Sequence, residues 1–423
     1  MKILALCADP GIPLDGVRGA CVHLLEFWRA LAGGGAVVDG MAPWRGRGDL
    51  PPIVPGLRLR PMRVTGTDPA PVAAELRRRA FSLEPQYAPD VVLERLSSES
   101  SIGLDAASRF GVPLVVQVSS ALDEQAHRPP GSRPSRASRR AQPRLLAGAD
   151  LVCCVSEGLV PYVLERGADP ARVRVLPDGV NVAAFAGGMA GERARPGADG
   201  APDPAPGSRP VRVGFVGASR TGRGLEVLLE ATARVREAGV TLELEILGEC
   251  ALRAELEMQA RRLGLVGHVR FLGPRPHADV PAFLRSLDVA VAPVAADVAR
   301  SYSPHKVYEY AAAGRALIAP RAGQVKACFR HGEDAWLTLP GDVAELAQGL
   351  VVLARDPDLR ERLGRAARER AESEFDWQSV ARQLLEWIEE LRCDLALPAA
   401  RAYGRPVATP EPAFLRQAPE PAP

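Results

Sequence analysis

Residues 303–320 read Ser303-Pro-His-Lys-Val-Tyr-Glu-Tyr-Ala-Ala-Ala-Gly-Arg-Ala-Leu-Ile-Ala-Pro320. A loop carrying Lys306 runs into a short helix carrying Glu309, and Gly314 then leads into an apolar strand over 316–319. A helix start preceded by a cation favours an anion, because unpaired backbone N–H groups and the helix dipole both attract negative charge. A carboxylate one turn further in can accept hydrogen bonds from a diol. A diphosphate joined to a ribose is the ligand such a site suits. Lys306 stands out further because the basic residues are almost all arginine, with Lys2 and Lys326 the only other lysines.

Outward from this stretch the chain alternates short apolar runs with amphipathic segments. Strands are predicted at 3–7, 37–41, 91–93, 114–118 and 151–155, and after a break at 213–216, 242–247, 269–272, 289–293, 316–319 and 336–339. Strand–helix alternation predicts parallel sheets covered on both faces, and two such units side by side enclose a cleft. The expected organisation is a first α/β domain over 1–185, a Gly/Ala/Pro/Arg linker or disordered insert over 186–210, and a second α/β domain over 211–372. A terminal amphipathic helix over 373–395 and a Pro/Ala-rich disordered tail over 396–423 complete it.

Three further segments offer backbone or charge to a ligand. Phe215-Val-Gly-Ala-Ser-Arg-Thr-Gly-Arg-Gly-Leu225 is a strand-to-helix turn in which Gly217 permits close approach, and Arg220 and Arg223 can fork onto phosphate oxygens. Gly16 and Gly19 flank Val17-Arg18 in the loop after the first strand. Val155-Ser-Glu157 and Val175-Leu-Pro-Asp-Gly-Val-Asn181 lie near the domain boundary, where Ser156 is expected to cap the following helix.

Together these segments resemble the donor-binding signature of the retaining glycosyltransferases with two facing Rossmann-like domains, the GT-B architecture, in the large glycosyl transferases group 1 family. The resemblance covers residues 1 to about 392. It implies a nucleoside-diphosphate sugar held by the second domain and an unidentified acceptor held mainly by the first. Arg223 and Lys306 would then stabilise the leaving diphosphate. Gly217, Arg220, Ser303, Pro304 and Glu309 would hold the donor, and Gly16, Gly19, Ser119 and Ser120 would line the acceptor and phosphate side. The nucleotide sugar would be a co-substrate, with no cofactor and no metal. In place of a frequent glutamate eight positions before Glu309 this chain has Ser301. Where many members carry a histidine or asparagine after the strand beyond Pro113 it has Val118-Ser119-Ser120, and a serine cannot act as a general acid near neutral pH. A non-catalytic subunit of the same fold, or a nucleotide-sugar epimerase, remain alternatives.

Length and composition agree with this. At 423 residues the chain can bury two cores, and a net charge of +2 makes no electrostatic case for nucleic acid. Seven cysteines without metal-ligand spacing read as reduced thiols in a cytoplasm. The six histidines show no cluster along the chain, and His305 is given no role. Asp356-Pro-Asp358 resembles a metal motif but reads as a helix cap. The start is too brief for a signal peptide and no apolar run reaches membrane-spanning length. The arginines over 128–144 read as a solvated, mobile loop, with contact to an anionic lipid surface as the alternative.

Overall fold

A computed structural model describes residues 1–16, 19–46, 50–84, 87–122, 135–186, 210–217, 224–296 and 305–396. The first domain is built on a seven-stranded parallel sheet, in the spatial order β3-β2-β1-β4-β5-β6-β7. Its strands are β1 (Lys2–Cys7), β2 (Val37–Trp44), β3 (Leu57–Arg63), β4 (Val91–Arg95), β5 (Leu114–Val118), β6 (Leu151–Cys154) and β7 (Val173–Val175). The second has a six-stranded sheet ordered β10-β9-β8-β11-β12-β13. It comprises β8 (Val211–Val216), β9 (Leu242–Leu247), β10 (Val269–Gly273), β11 (Val289–Val291), β12 (Ala316–Pro320) and β13 (Trp336–Thr338).

Every pairing in both sheets is parallel. Strands such as Val-Val-Leu-Glu-Arg of β4 and Leu-Val-Val-Gln-Val of β5 are buried throughout, as strands covered by helices on both faces must be. Strand order reverses between β1 and β4, and again between β8 and β11. In such sheets ligands settle at the carboxyl ends of the strands beside the reversal. The two domains are Rossmann-like, and their loops at these points face a shared cleft.

Two strands were not expected. β7 has three residues, too few to show a pattern. β3 alternates Leu57 and Leu59 with Arg58 and Arg60 and contains Pro61, a residue that argues against a strand except at an edge, which is where β3 lies. Residues 136–144, half of the expected arginine-rich loop, belong instead to a helix, Arg136–Ala147, because Ala141, Gln142, Leu145 and Leu146 bury one face. Residues 128–134 lie outside the described residues, as do nearly all of the linker and tail.

The chain passes between the domains twice, and the two passages run side by side. Val180 N–H donates to Phe375 O (2.8 Å) and Trp377 N–H donates to Val180 O (3.0 Å). The terminal helix, Trp377–Ala396, then packs on the first helix, Gly19–Gly33. Its Trp377, Val380, Ala381, Leu384 and Ile388 recur at helical spacing and join the core around β1. Val180, Val182 and Phe185 belong instead to the core of the second domain. Ion pairs such as Arg392–Asp90 (2.7 Å) edge this contact and, being partly open to solvent, add little. The stability of the crossing comes from apolar burial.

Gly179 sits where the passages touch. A Cβ there would stand 2.5 Å from Trp377 Cδ2 and Cε3 and 3.1 Å from its Cα, so something must shift. Gly179→Ala is expected to cost about 1–3 kcal/mol through overpacking, read as a lowered urea midpoint. An unchanged midpoint would show that the crossing is loosely packed.

Candidate functional site

The helix His305–Ala312 starts beside the reversal point of the second sheet. It is fastened there by Tyr310, fully buried, whose hydroxyl accepts from Val216 N–H at 2.8 Å. Lys306 Nζ lies 3.9 Å from the centroid of the Phe215 ring, a cation–π contact. Two residues on, just past the end of β8, Gly217 has φ +136°, and a Cβ there would stand 2.9 Å from Lys306 Nζ. Glycine at 217 therefore makes room for the ammonium group as well as supplying the backbone angle. A cation, the end of β8 and a helix start converge on one spot, an arrangement suited to an anion. Arg220, Arg223, Ser303 and Pro304 lie outside the described residues, as does Ser301.

Glu309, one turn into the same helix, is not open-handed. His277 Nε2 lies 2.7 Å from its Oε1, with both side chains partly exposed. The hydrogen bond to Glu309 raises the His277 pKa above its ordinary value. A diol arriving at Glu309 would share the carboxylate with this histidine, which no motif in the sequence signalled.

The first domain supplies the opposite wall, and here the histidines that look scattered along the chain come together. His23 Nε2 lies 2.5 Å from Asp178 Oδ1, and both side chains are essentially inaccessible. Arg95 Nη1, at the end of β4, lies 3.1 Å from His23 Nδ1. A guanidinium can only donate, so His23 Nδ1 is the acceptor and Nε2 carries the proton given to Asp178. Burial pushes the His23 pKa down to about 4, against the pull of Asp178. Burial would raise Asp178, but the neighbouring His305, His23 and Arg95 hold it down at about 2. The resting pair is thus a neutral imidazole donating to a buried carboxylate. His305, given no role from sequence, stands against this pair: its ring centroid is 4.5 Å from that of His23, and its Nδ1 is 3.2 Å from Asp178 Oδ2. Trp377 meets His23 edge-on at 4.9 Å and closes the cluster below.

His23, Asp178 and His305 offer ligand atoms within 4.8 Å of one another. Two of those atoms are already joined by a short hydrogen bond, and the Arg95 guanidinium sits behind. A hydrogen-bonded relay fits this donor set better than a cation does.

The remaining expected residues fall around the same cleft. Gly16 closes a turn onto Pro13 O (2.9 Å) and packs on Cys21 Sγ, which leaves no room for a side chain. Gly19 opens the first helix, and a Cβ there would be 3.8 Å from His305 Cδ2. Ser119 and Ser120 follow β5, and the Ser119 hydroxyl is buried without a partner. Two further hydroxyls share that condition: Ser97 after β4 and Ser156 after β6. The expected capping by Ser156 is not made, since its side chain accepts no backbone N–H from the following turn. Asp356 does cap its helix, accepting from Leu359 N–H at 2.8 Å. A separate cavity of about 770 Å³ lies between β3 and the helix Pro69–Phe81, lined by Lys2, Arg60, Arg78, Arg79 and Tyr87. Its arginines are paired with Asp39 and Glu75, which leaves it a poor anion site.

The family model described as "Glycosyl transferase 4-like domain" matches residues 18–179, and the one described as "Glycosyl transferases group 1" matches 210–356. The chain is 32% identical to a D-inositol 3-phosphate glycosyltransferase of Corynebacterium kroppenstedtii, over 62% of this chain and 58% of that protein's length. It is 28% identical to a glycogen synthase of Mycobacterium tuberculosis, over 74% of this chain and 71% of the relative. The crystal structure of Anabaena Alr3699/HepE in complex with UDP-glucose superposes with a TM-score of 0.66 at 20% identity, covering 92% of this chain and all of that one. This likeness shows the GT-B fold.

The His23 pKa carries a sign for stability. Its folded value, about 4, lies below the ordinary 6.5, so between those values the unfolded chain binds more protons. The contribution is fully present above pH 6.5 and is lost as the pH falls through about 4. Urea unfolding of wild type and His23→Gln across this range should show the difference in midpoint shrinking on acidification. A difference that stays constant would contradict a neutral buried His23.

Proposed function

The chain belongs to the glycosyl transferases group 1 family, and from that premise we propose that it moves a hexose from a nucleoside diphosphate to an acceptor hydroxyl with retention at the anomeric carbon. The observation that carries this reading is the placement of Lys306 against Gly217 and Phe215 at the reversal point of the second sheet, on a helix that also bears Glu309. A diphosphate laid there would meet a fixed cation and a helix start, and Glu309 would take the ribose. Anabaena Alr3699/HepE, of the same fold, holds UDP-glucose, which supports a nucleotide sugar as the donor here.

The hard step is departure of the diphosphate. Fixed positive charge aimed at the leaving oxygens supplies that stabilisation without a metal, since it acts in a cleft that excludes water and needs no reorganisation. By resemblance to the family, the leaving phosphate takes the acceptor proton on the same face, so no protein nucleophile is needed. Arg220 and Arg223 would add to Lys306. The acceptor side would be the carboxyl ends of β4, β5 and β6, where Ser119 and Ser120 follow β5. The two relatives are named for D-inositol 3-phosphate and for glycogen, so likeness alone does not choose an acceptor. A cytoplasmic location belongs to this reading, with Arg136, Arg139 and Arg140 exposed on one helix as a surface for anionic lipid. No described helix is long and apolar enough to cross a membrane.

A second reading has one observation in its favour. An epimerase of the same architecture needs imidazoles and carboxylates in the cleft, and His23, Asp178 and His305 are there. It would isomerise the donor with no acceptor present.

A thermal-shift panel of UDP, GDP, ADP and dTDP with their sugars tests the donor site. A nucleotide at about 100 times its dissociation constant should stabilise the fold by ~2.7 kcal/mol. Lys306→Ala removes a charge-assisted contact worth about 1.5–3 kcal/mol and should lose most of that shift. No shift with any nucleotide, or an equal shift in the variant, would overturn the assignment.

A further inference from the structure

Consecutive residues at the start of one helix face opposite walls of the cleft. Lys306 reaches back to Phe215 and Gly217 in the second domain. His305 leans on the first, with its ring 4.5 Å from that of His23 and its Cδ2 nearest to Gly19. Its Nδ1 is buried and lies 3.2 Å from Asp178 Oδ2, but no hydrogen bond is made in this arrangement. On an imidazole ring Nε2 adjoins Cδ2, so the edge carrying Nε2 is the one turned toward the start of the helix Gly19–Gly33. The His305 side chain is 28% exposed, against 1% for His23. Of the two imidazoles, His305 is the one with an accessible surface. His23 has a hydrogen-bond partner at each nitrogen, whereas the buried Nδ1 of His305 has only the nearby Asp178 carboxylate and makes no hydrogen bond.

We propose that His305 is a phosphate-contacting residue of the donor site: an imidazolium whose Nε2–H donates to the diphosphate while Asp178 holds the Nδ1 side. The inference rests on the reading of this cleft as a nucleotide-sugar site. The groups that face the ring are Asp178 from the segment before the linker and His23 from the first helix. Arg95 lies behind His23 at the end of β4, and Lys306 follows on the same helix. Asp178 is the nearest charge. A diphosphate on the opposite edge would put an anion on each side of the ring. When the bond from the anomeric carbon to the phosphate oxygen breaks, its electron pair stays on that oxygen. The acceptor oxygen bonds to the anomeric carbon, and the acceptor proton passes to the departing phosphate. His305 keeps its own proton throughout, and its hydrogen bond strengthens as negative charge grows on the phosphate.

The test is the affinity of UDP, GDP, ADP and dTDP, measured by titration calorimetry from pH 5.5 to 9 on wild type and His305→Gln. The ratio of the two dissociation constants cancels the ionisation of the nucleotide itself. A charge-assisted hydrogen bond of about 1.5–3 kcal/mol predicts that the variant binds roughly 10–100-fold more weakly at low pH. The ratio should then close toward unity as His305 loses its proton. A ratio near one throughout would overturn the proposal, and so would a large ratio that ignores pH, since that marks a purely structural role. If the wild type binds none of the four, the donor-site reading fails and this inference falls with it. If it binds one of them and the ratio is flat, the donor-site reading stands and only the role of His305 is lost.

Discussion

The buried carboxylate of Asp178 constrains everything around it. A charge taken out of water must be met by donors or it neutralises, and Asp178 stays ionised because His23 donates to it and Arg95 and His305 stand close. Those partners come from three places: the first helix, the end of β4 and the start of the helix that carries Lys306. Of these partners only His305 belongs to the second domain, so the cluster marks a place where the two domains meet.

Apolar packing supplies what this polar contact cannot. The paired passages at Val180 and Phe375–Trp377, together with the terminal helix lying on the first helix, put residues of the C-terminal segment into the core around β1. Trp377 belongs both to that core and to the wall of the His23 cluster, so packing of the crossing and geometry of the relay are linked through one side chain. Within the second domain the motif helix is held to its own sheet, since Tyr310 pins it to the end of β8.

Much of the fold was legible in the sequence because parallel strands buried on both faces are written as unbroken apolar runs. Where that signal fails, the strands were missed: β3 mixes leucine with arginine and contains Pro61, and β7 is three residues long. The Lys306–Glu309 segment was legible because its two candidate residues sit one turn apart in a single short helix, although what they touch, Phe215 and His277, is remote in the chain. The relay was not, since His23 and Asp178 are 155 residues apart and Arg95 and His23 are 72 apart. No periodicity reports such a meeting. Asp178 was read only as part of a segment near the domain boundary, and His305, although inside the best motif, showed no sign that it would face the other domain. His277 beside Glu309 was hidden for the same reason, its partner being 32 residues away.

The central claim is that one helix start gathers both domains around a nucleoside diphosphate. Hydrogen–deuterium exchange, with and without the best-binding of the four nucleoside diphosphates, tests it most directly. The claim predicts slowed exchange in two segments together: the first turns of His305–Ala312 in the second domain and of Gly19–Gly33 in the first. Protection of one of these segments alone, or protection confined to the cavity near Lys2 and Tyr87, would contradict it.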